Sequence, residues 1–290
     1  MKPFTNGEAI ALYQQQLTDV IVKIADPDMI FLLGATLHRN RCESIFNQSA
    51  PACKQLSDCT LLILLSNLAN KELHEWQDKI ENHCSNILPV TTLVLATPTF
   101  VEWLQAGLPF ALSVWQHAPV LFDAGRICRE DFPEIKASIN NKEAAKQWQE
   151  GLLKAKEFLA GAELYRVRKQ HKMAAFMLHQ SAEQALRALL MTGTGYHANT
   201  HSIDRLLRYG SLVAHQLPEI FSRQTERDKR LFNLLQKAYI DTRYKDDYKI
   251  TDEELLILTG KIRRVHEIVS DAGKRLINAP LQPELQNTFQ

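Results

Sequence analysis

Residues 251–276 read TDEELLILTGKIRRVHEIVSDAGKRL, and their spacing decides the fold of the second half of the chain. Leu255, Leu258, Ile262, Val265, Val269, Ala272 and Leu276 recur at alternating intervals of three and four. On an α-helix such positions share one face, and the alternation makes a seam suited to left-handed bundle packing. Thr251 followed by Asp252, Glu253 and Glu254 places a capping hydroxyl and three acids at the positive end of that helix. The helix is expected over about 252–276.

Working outward, the same pattern continues upstream. From Asn141 to Arg275 the only proline is Pro218, and no run is rich in β-formers. Helices are expected at about 141–171, 173–192, 202–216 and 224–245, with Leu178, Ala182, Leu186 and Leu189 as one apolar stripe. Thr192-Gly193-Thr194-Gly195 breaks the second from the third. Five helices with short connections imply an up-and-down bundle over residues 136–278, followed by a loose tail at 279–290.

The first half has a different rhythm. Residues 8–26 keep helical spacing, and Met29–Gly34 is a short apolar run ending in glycine, read as a buried strand. Residues 35–55 read as irregular. Cys59–Leu65 is a second buried strand, Asn70 is the expected cap of a helix reaching Cys84, and Val90–Ala96 is a third strand. Thr97-Pro98 reads as a helix cap and first position, with helices expected at 99–106 and 109–116 and a small strand at 120–122. Alternating strands and helices imply a small α/β domain over residues 1–135.

Composition bounds the function classes. A chain of 290 residues with 45% hydrophobic and 23% charged content is an ordinary globular sequence with room for two cores. No apolar run approaches the ~20 residues of a membrane helix. The start carries no apolar signal core, and the five cysteines form no CxxC pair, so a cytoplasmic protein with reduced thiols and no membrane partner is expected. Charge is uneven: residues 1–150 hold 12 Lys and Arg against 17 Asp and Glu, whereas residues 151–276 hold 22 against 15. A basic module beside an acidic one suits an anionic partner for the basic half, or two solvated surfaces of different composition.

Two motifs carry family resemblance. Leu32-Leu33-Gly34-Ala35-Thr36, followed about twenty residues later by Ser57-Asp58-Cys59-Thr60, resembles the core of a small nucleotidyltransferase domain. That family carries Gly-Ser after the first strand, Asp-x-Asp in the second and a further carboxylate in the next. Here Ala35 replaces the serine, Thr60 the second acid, and Val90–Leu95 has no carboxylate. Two Mg²⁺ ions bridging triphosphate oxygens need several hard carboxylate ligands. The resemblance therefore implies a degenerate transferase site at Gly34 and Asp58 without transfer activity, with Mg²⁺ entering only if the Asp58 site is active. The plain alternative is that Asp58 stabilises a strand edge. His38 and Cys42, at i and i+4, are two metal-ligand types without a second pair, and do not make a site.

In the second half, Ala174-Ala175-Phe176 with His179-Gln180-Ser181-Ala182-Glu183-Gln184-Ala185-Leu186, then Thr200-His201-Ser202-Ile203-Asp204-Arg205-Leu206-Leu207, then Ala238-Tyr239-Ile240-Asp241-Thr242-Arg243-Tyr244 with Tyr248, resemble in order the second, third and fourth helices of a HEPN domain. HEPN domains are helical modules found beside nucleotidyltransferase-like partners and in RNA-cleaving toxins. The resemblance implies a homodimer through the helical domain and a nucleotide or RNA ligand. Ribonuclease members carry Arg, four to six residues, then His; here Arg243 is followed by Tyr248. Tyrosine titrates near pH ~10 and is a poor base at neutral pH. Binding by His179, Glu183, Arg187, Arg243 and Tyr244 is thus expected. A metal-independent dimeric ribonuclease using Arg243 and Tyr248, or a regulatory module resembling a fused toxin–antitoxin pair, are the alternatives. His179, Glu183 and Arg187 share one helix face and equally suit a buried polar seam; Arg243 equally suits an ion pair with Asp246 or Asp247.

Overall fold

The computed structural model describes residues 7–37, 41–44, 56–128 and 141–278. The chain divides into two units, the first holding the described residues up to 128 and the second those from 141 to 278. The expected boundary at 135/136, His38 and the tail at 279–290 lie outside the described residues.

The first unit runs α1 (Gly7–Ala25), β1 (Met29–Leu37), β2 (Arg41–Ser44), β3 (Leu56–Leu65), α2 (Leu73–Cys84), β4 (Val90–Ala96), α3 (Thr97–Gln105), α4 (Pro109–His117) and β5 (Val120–Asp123). The strands form one mixed sheet in the order β2-β1-β3-β4, with β5 also paired to β1. β1 and β3 are antiparallel, with Thr36 opposite Asp58, and β3 and β4 are parallel. Both faces of the sheet are covered, which is why β1 and β3 are almost continuously apolar rather than alternating. Ile30, Leu32, Leu61, Ile63 and Leu65 pack against Leu17 and Ile21 of α1 and Trp76, Ile80 and Cys84 of α2. Phe31 meets Phe100 of α3 and Trp115 of α4, at ring-centroid distances of 6.0 and 6.2 Å.

Three local expectations are corrected here. Residues 35–55 are not wholly irregular: β1 continues to Leu37 and β2 pairs with it. A four-residue strand reading RCES has no apolar pattern of its own; its register comes from its partner. Asn70 does not cap α2 but adopts a left-handed φ of 57°. Glu72 holds the cap position, and its N–H donates to Glu75 Oε2 at 2.8 Å. Thr97 does not cap α3 either; it lies in the first turn and donates its hydroxyl to the Asp28 carboxylate.

The second unit consists of α5 (Asn141–Val167), α6 (His171–Thr194), α7 (Ile203–Gly210), α8 (Glu226–Tyr244) and α9 (Asp252–Asn278). α6 is the hub, packed against each of the other four. Its stripe Leu178, Ala182, Leu186 and Leu189 is buried, as are Leu255, Leu258, Ile262, Val265, Val269 and Ala272 of α9. Small residues let the helices close: a Cβ on Gly151 of α5 would stand 2.8 Å from Ala188 Cβ, and one on Gly273 of α9 only 2.1 Å from the Trp148 ring. α6 ends at Gly195, whose left-handed φ of 72° returns its N–H to the Met191 carbonyl. α7 stops at Gly210 rather than running to 216, and a short 3-10 turn follows at Leu217–Phe221. Leu217 seats where a Cβ on Gly210 would be, at 2.8 Å, and Pro218 starts the turn.

Candidate functional site

In the first unit, the Asp58 carboxylate is half-buried and accepts from Thr36 Oγ1 at 3.0 Å, across the β1–β3 pair. Thr60, two residues along the same strand and so on the same face, is buried. β4 brings threonines but no acid. A single carboxylate already bonded to a threonine does not fit a two-magnesium centre, and no step is assigned to one. Among the described residues, no three of His, Cys, Asp and Glu gather as metal ligands.

The strongest polar cluster in this unit lies elsewhere. Asp28, fully buried just ahead of β1, accepts from Ser66 after β3, from Thr97 of α3 and from Arg126 after β5 (2.9 Å). Burial alone would raise its pKa, but these three donors outweigh it and hold the carboxyl below its ordinary value. The cluster ties four segments together, which is a structural role. Sequence reading missed it because the four residues are far apart in the chain.

In the second unit, helical periodicity stacks His179, Glu183 and Arg187 along one side of α6, and the structure completes a network around Glu183. Its buried carboxylate meets Arg187 Nη2 at 3.2 Å, Gln180 Nε2 at 3.2 Å and His201 Nδ1 at 3.1 Å. Arg187 also donates to the Thr200 carbonyl at 2.9 Å, and His179 Nε2 to the His201 carbonyl at 3.0 Å. His179 is buried; desolvation outweighs the attraction of Glu183 and pushes its pKa down to about 4, so it is neutral. α6 thereby fixes the segment entering α7. Ser202 caps α7, accepting from Arg205 N–H at 3.3 Å, and Gln236 of α8 donates to Ser202 Oγ at 3.1 Å.

One turn beyond Gln236, Tyr239 stacks on His201 with centroids 4.0 Å apart and planes at 14°. Phe176 and His179 of α6 also stack against Tyr239, at 6.3 and 5.4 Å. Arg243, a turn further, donates through Nε to the Tyr239 carbonyl at 2.7 Å and lies over the Tyr239 ring at 4.4 Å and the Tyr244 ring at 5.2 Å. Among the described residues Arg243 has no carboxylate partner, so an ion pair with Asp246 or Asp247 is not formed. The exposed rim is therefore Arg243, Tyr244 (75% exposed) and the half-exposed His201. His179, Glu183, Arg187, Arg243 and Tyr244 are thus linked in one chain of contacts through His201 and Tyr239, two residues of the sequence blocks to which no role was attached. The clue available was the i, i+4 pairing of Tyr239 with Arg243.

Tyr248 does not belong to it. It is 7% exposed, its hydroxyl donates to the Leu234 carbonyl at 3.0 Å, and burial pushes its pKa well above the ordinary tyrosine value. A neutral phenol facing a main-chain carbonyl is no acid–base group, which corrects its candidacy as a catalytic residue. The other basic residues are mostly paired within the bundle: Arg166 with Asp252 at 3.1 Å, Arg227 with Glu253 at 2.5 Å, Arg230 with Glu254 at 2.7 Å and Arg263 with Glu163 at 2.5 Å. Lys172 donates to the carbonyls of Lys245 and Asp246, at 2.9 and 3.0 Å, closing the end of α8. Among the described helices none is long and apolar enough to cross a membrane.

No curated protein matches the chain. Among solved structures, a nucleotidyltransferase-like protein from Exiguobacterium sibiricum matches at 12% identity, covering 91% of this chain and 78% of that one, with a TM-score of 0.29. A family model described as the HEPN domain matches residues 148–274, from the Trp148 that packs on α9 through all three blocks around Glu183, Ser202 and Arg243. Residues 148–274 of this chain form a HEPN domain.

Proposed function

We propose that the protein binds a phosphate-bearing nucleotide, free or within RNA, at the rim formed by Arg243, Tyr244 and His201. The carrying observation is the exposed Arg243 guanidinium, free of any carboxylate among the described residues and held over Tyr239 and Tyr244 by its own bond to the helix backbone. A guanidinium without a carboxylate partner among the described residues suits a phosphate, and an exposed aromatic beside it suits a base. The surplus positive charge of the second half supports the same reading.

The first unit is read, within this proposal, as a nucleotidyltransferase-like domain without transfer activity; Mg²⁺ belongs to it only if Asp58 acts. Support is the missing acids at Thr60 and along β4. The homodimer implied by the HEPN resemblance is also part of the proposal, supported by exposed Leu153, Leu164 and Val167 on α5 at heptad-compatible spacing. Light scattering of the full chain reads it.

The binding test is fluorescence anisotropy of the full chain with labelled oligouridylate and with labelled ATP, across a salt series. Affinity falls with salt, and Arg243→Ala weakens binding and lowers the slope of log K against log salt by roughly 0.7, one phosphate contact. Salt-insensitive binding, no binding at low salt, or an unchanged Arg243→Ala variant refutes the reading.

A further inference from the structure

We propose that His201 reads the ribose 2′-hydroxyl, making this site prefer ribonucleotides over deoxyribonucleotides. The inference rests on the binding reading above and deepens it. Glu183 is buried and its carboxylate only accepts hydrogen bonds, so the Nδ1 of His201, 3.1 Å from both of its oxygens, carries the proton. In the neutral ring this leaves Nε2 as a bare acceptor. Among the described residues Nε2 has no partner, and the His201 side chain is 48% exposed. The ring cannot turn freely. Its face rests on Tyr239 at 4.0 Å, its main-chain carbonyl accepts from His179 Nε2, and the preceding carbonyl, of Thr200, accepts from Arg187.

A fixed acceptor near a fixed cation is a chemical specification. Arg243 and His201 both lie against the Tyr239 ring, at 4.4 and 4.0 Å from its centroid, and the proposal sets the phosphate of one nucleotide on the first and its sugar on the second. The donor that a ribonucleotide offers beside its phosphate, and a deoxyribonucleotide lacks, is the 2′-hydroxyl. Glu183 is the positioning residue: it sets the tautomer of His201 and touches no ligand.

The experiment compares oligouridylate, its 2′-deoxy analogue and its 2′-fluoro analogue against the full chain at one low salt concentration, with ATP and 2′-deoxy-ATP as the free-nucleotide arm. The 2′-fluoro strand keeps a ribose-like pucker but has no hydroxyl donor, so it separates hydroxyl recognition from recognition of shape. We expect oligouridylate to bind about tenfold more tightly than both analogues. His201→Ala brings all three to similar affinity near that of the deoxy strand, His201→Gln restores part of the preference through its amide oxygen, and Arg243→Ala weakens every ligand while keeping the ratio. A preference confined to ATP places the ligand as a free nucleotide, and one shared with oligouridylate places it in RNA; both support the assignment. Equal ribo and deoxy binding, 2′-fluoro binding equal to ribo, or a ratio unchanged in His201→Ala overturns the role of His201 while leaving nucleotide binding intact. Absence of binding to every probe overturns the binding reading and this inference with it.

Discussion

Acidification from pH 7 to 5 should loosen the helical unit, and His179 sets the amount. The imidazole is fully buried, and burial holds its pKa at about 4 against an ordinary 6.5. The unfolded chain therefore binds a proton near pH 6.5 that the folded chain refuses until about pH 4. The folded-state value is the lower one, so the stability this neutral histidine contributes is complete above pH 6.5 and is lost as the pH falls toward 4. Integrating the proton uptake gives a loss of about 2 kcal/mol between pH 7 and 5, approaching ~3 kcal/mol at pH 4. His266, also depressed by burial, adds in the same direction. The carboxylates Asp28 and Glu254, whose values lie below the ordinary range, stay ionised through this window and do not obscure it.

Hydrogen exchange isolates the helical unit from the sheet. The most protected amides of α6, measured by mass spectrometry and corrected for intrinsic exchange, report the opening free energy of that helix. The wild type should lose about 2 kcal/mol over the window. His179→Gln keeps a donor toward the His201 carbonyl but does not titrate, so its profile should flatten to the smaller His266 part. A wild type with no slope, or a His179→Gln variant with the wild-type slope, would refute the claim that a neutral histidine locks α6 to α7.

Gly273→Ala places a Cβ 2.1 Å from the buried Trp148 ring and should cost about 1–3 kcal/mol, with Trp148→Leu in the same chain recovering part of it in thermal unfolding. Tyr248→Phe removes one hydrogen bond to the Leu234 carbonyl and should cost about 1 kcal/mol while leaving oligouridylate affinity unchanged; a loss of binding at full stability would return Tyr248 to the site. Asp28→Asn keeps the shape of its cluster but loses the charge facing Arg126, and should cost the first unit about 2–3 kcal/mol, read from exchange of β1 and β3 amides.

What the sequence made legible was whatever repeats at short range. The α9 seam and the α6 stripe depend only on positions three and four apart, and both are buried where the spacing places them except at Leu276, which is half-buried. β1, β3 and β4 announce themselves as apolar runs because each is covered on both faces. What was hidden depends on partners distant in the chain. β2 has no pattern without β1. Thr97 looked like a cap until Asp28, 69 residues away, claimed its hydroxyl. Tyr248 occupies the motif position of a catalytic group, yet its direction is set by α8, where Leu234 offers a carbonyl. Spacing placed His179, Glu183 and Arg187 on one face correctly, but whether that face was seam or site was not a question spacing could settle.

In the proposed reading, seam and site are the same residues seen from two ends. Glu183 and His179 are buried because they fix the approach to α7, and a buried carboxylate is tolerated only when fully paired. Here its pairing comes from Arg187, Gln180 and His201, and the last of these reaches half into solvent. The interaction that satisfies the core charge therefore also orients an exposed ring. That coupling separates this arrangement from a plain structural network, in which truncating Glu183 costs stability and nothing else. If His201 acts through Glu183, then Glu183→Leu, in whatever fraction remains folded, should bind ribo and deoxy strands alike, whereas a merely structural Glu183 would lower the folded fraction and leave the ratio untouched. Measuring that ratio per folded molecule, with the folded fraction taken from circular dichroism of the same samples, distinguishes the two.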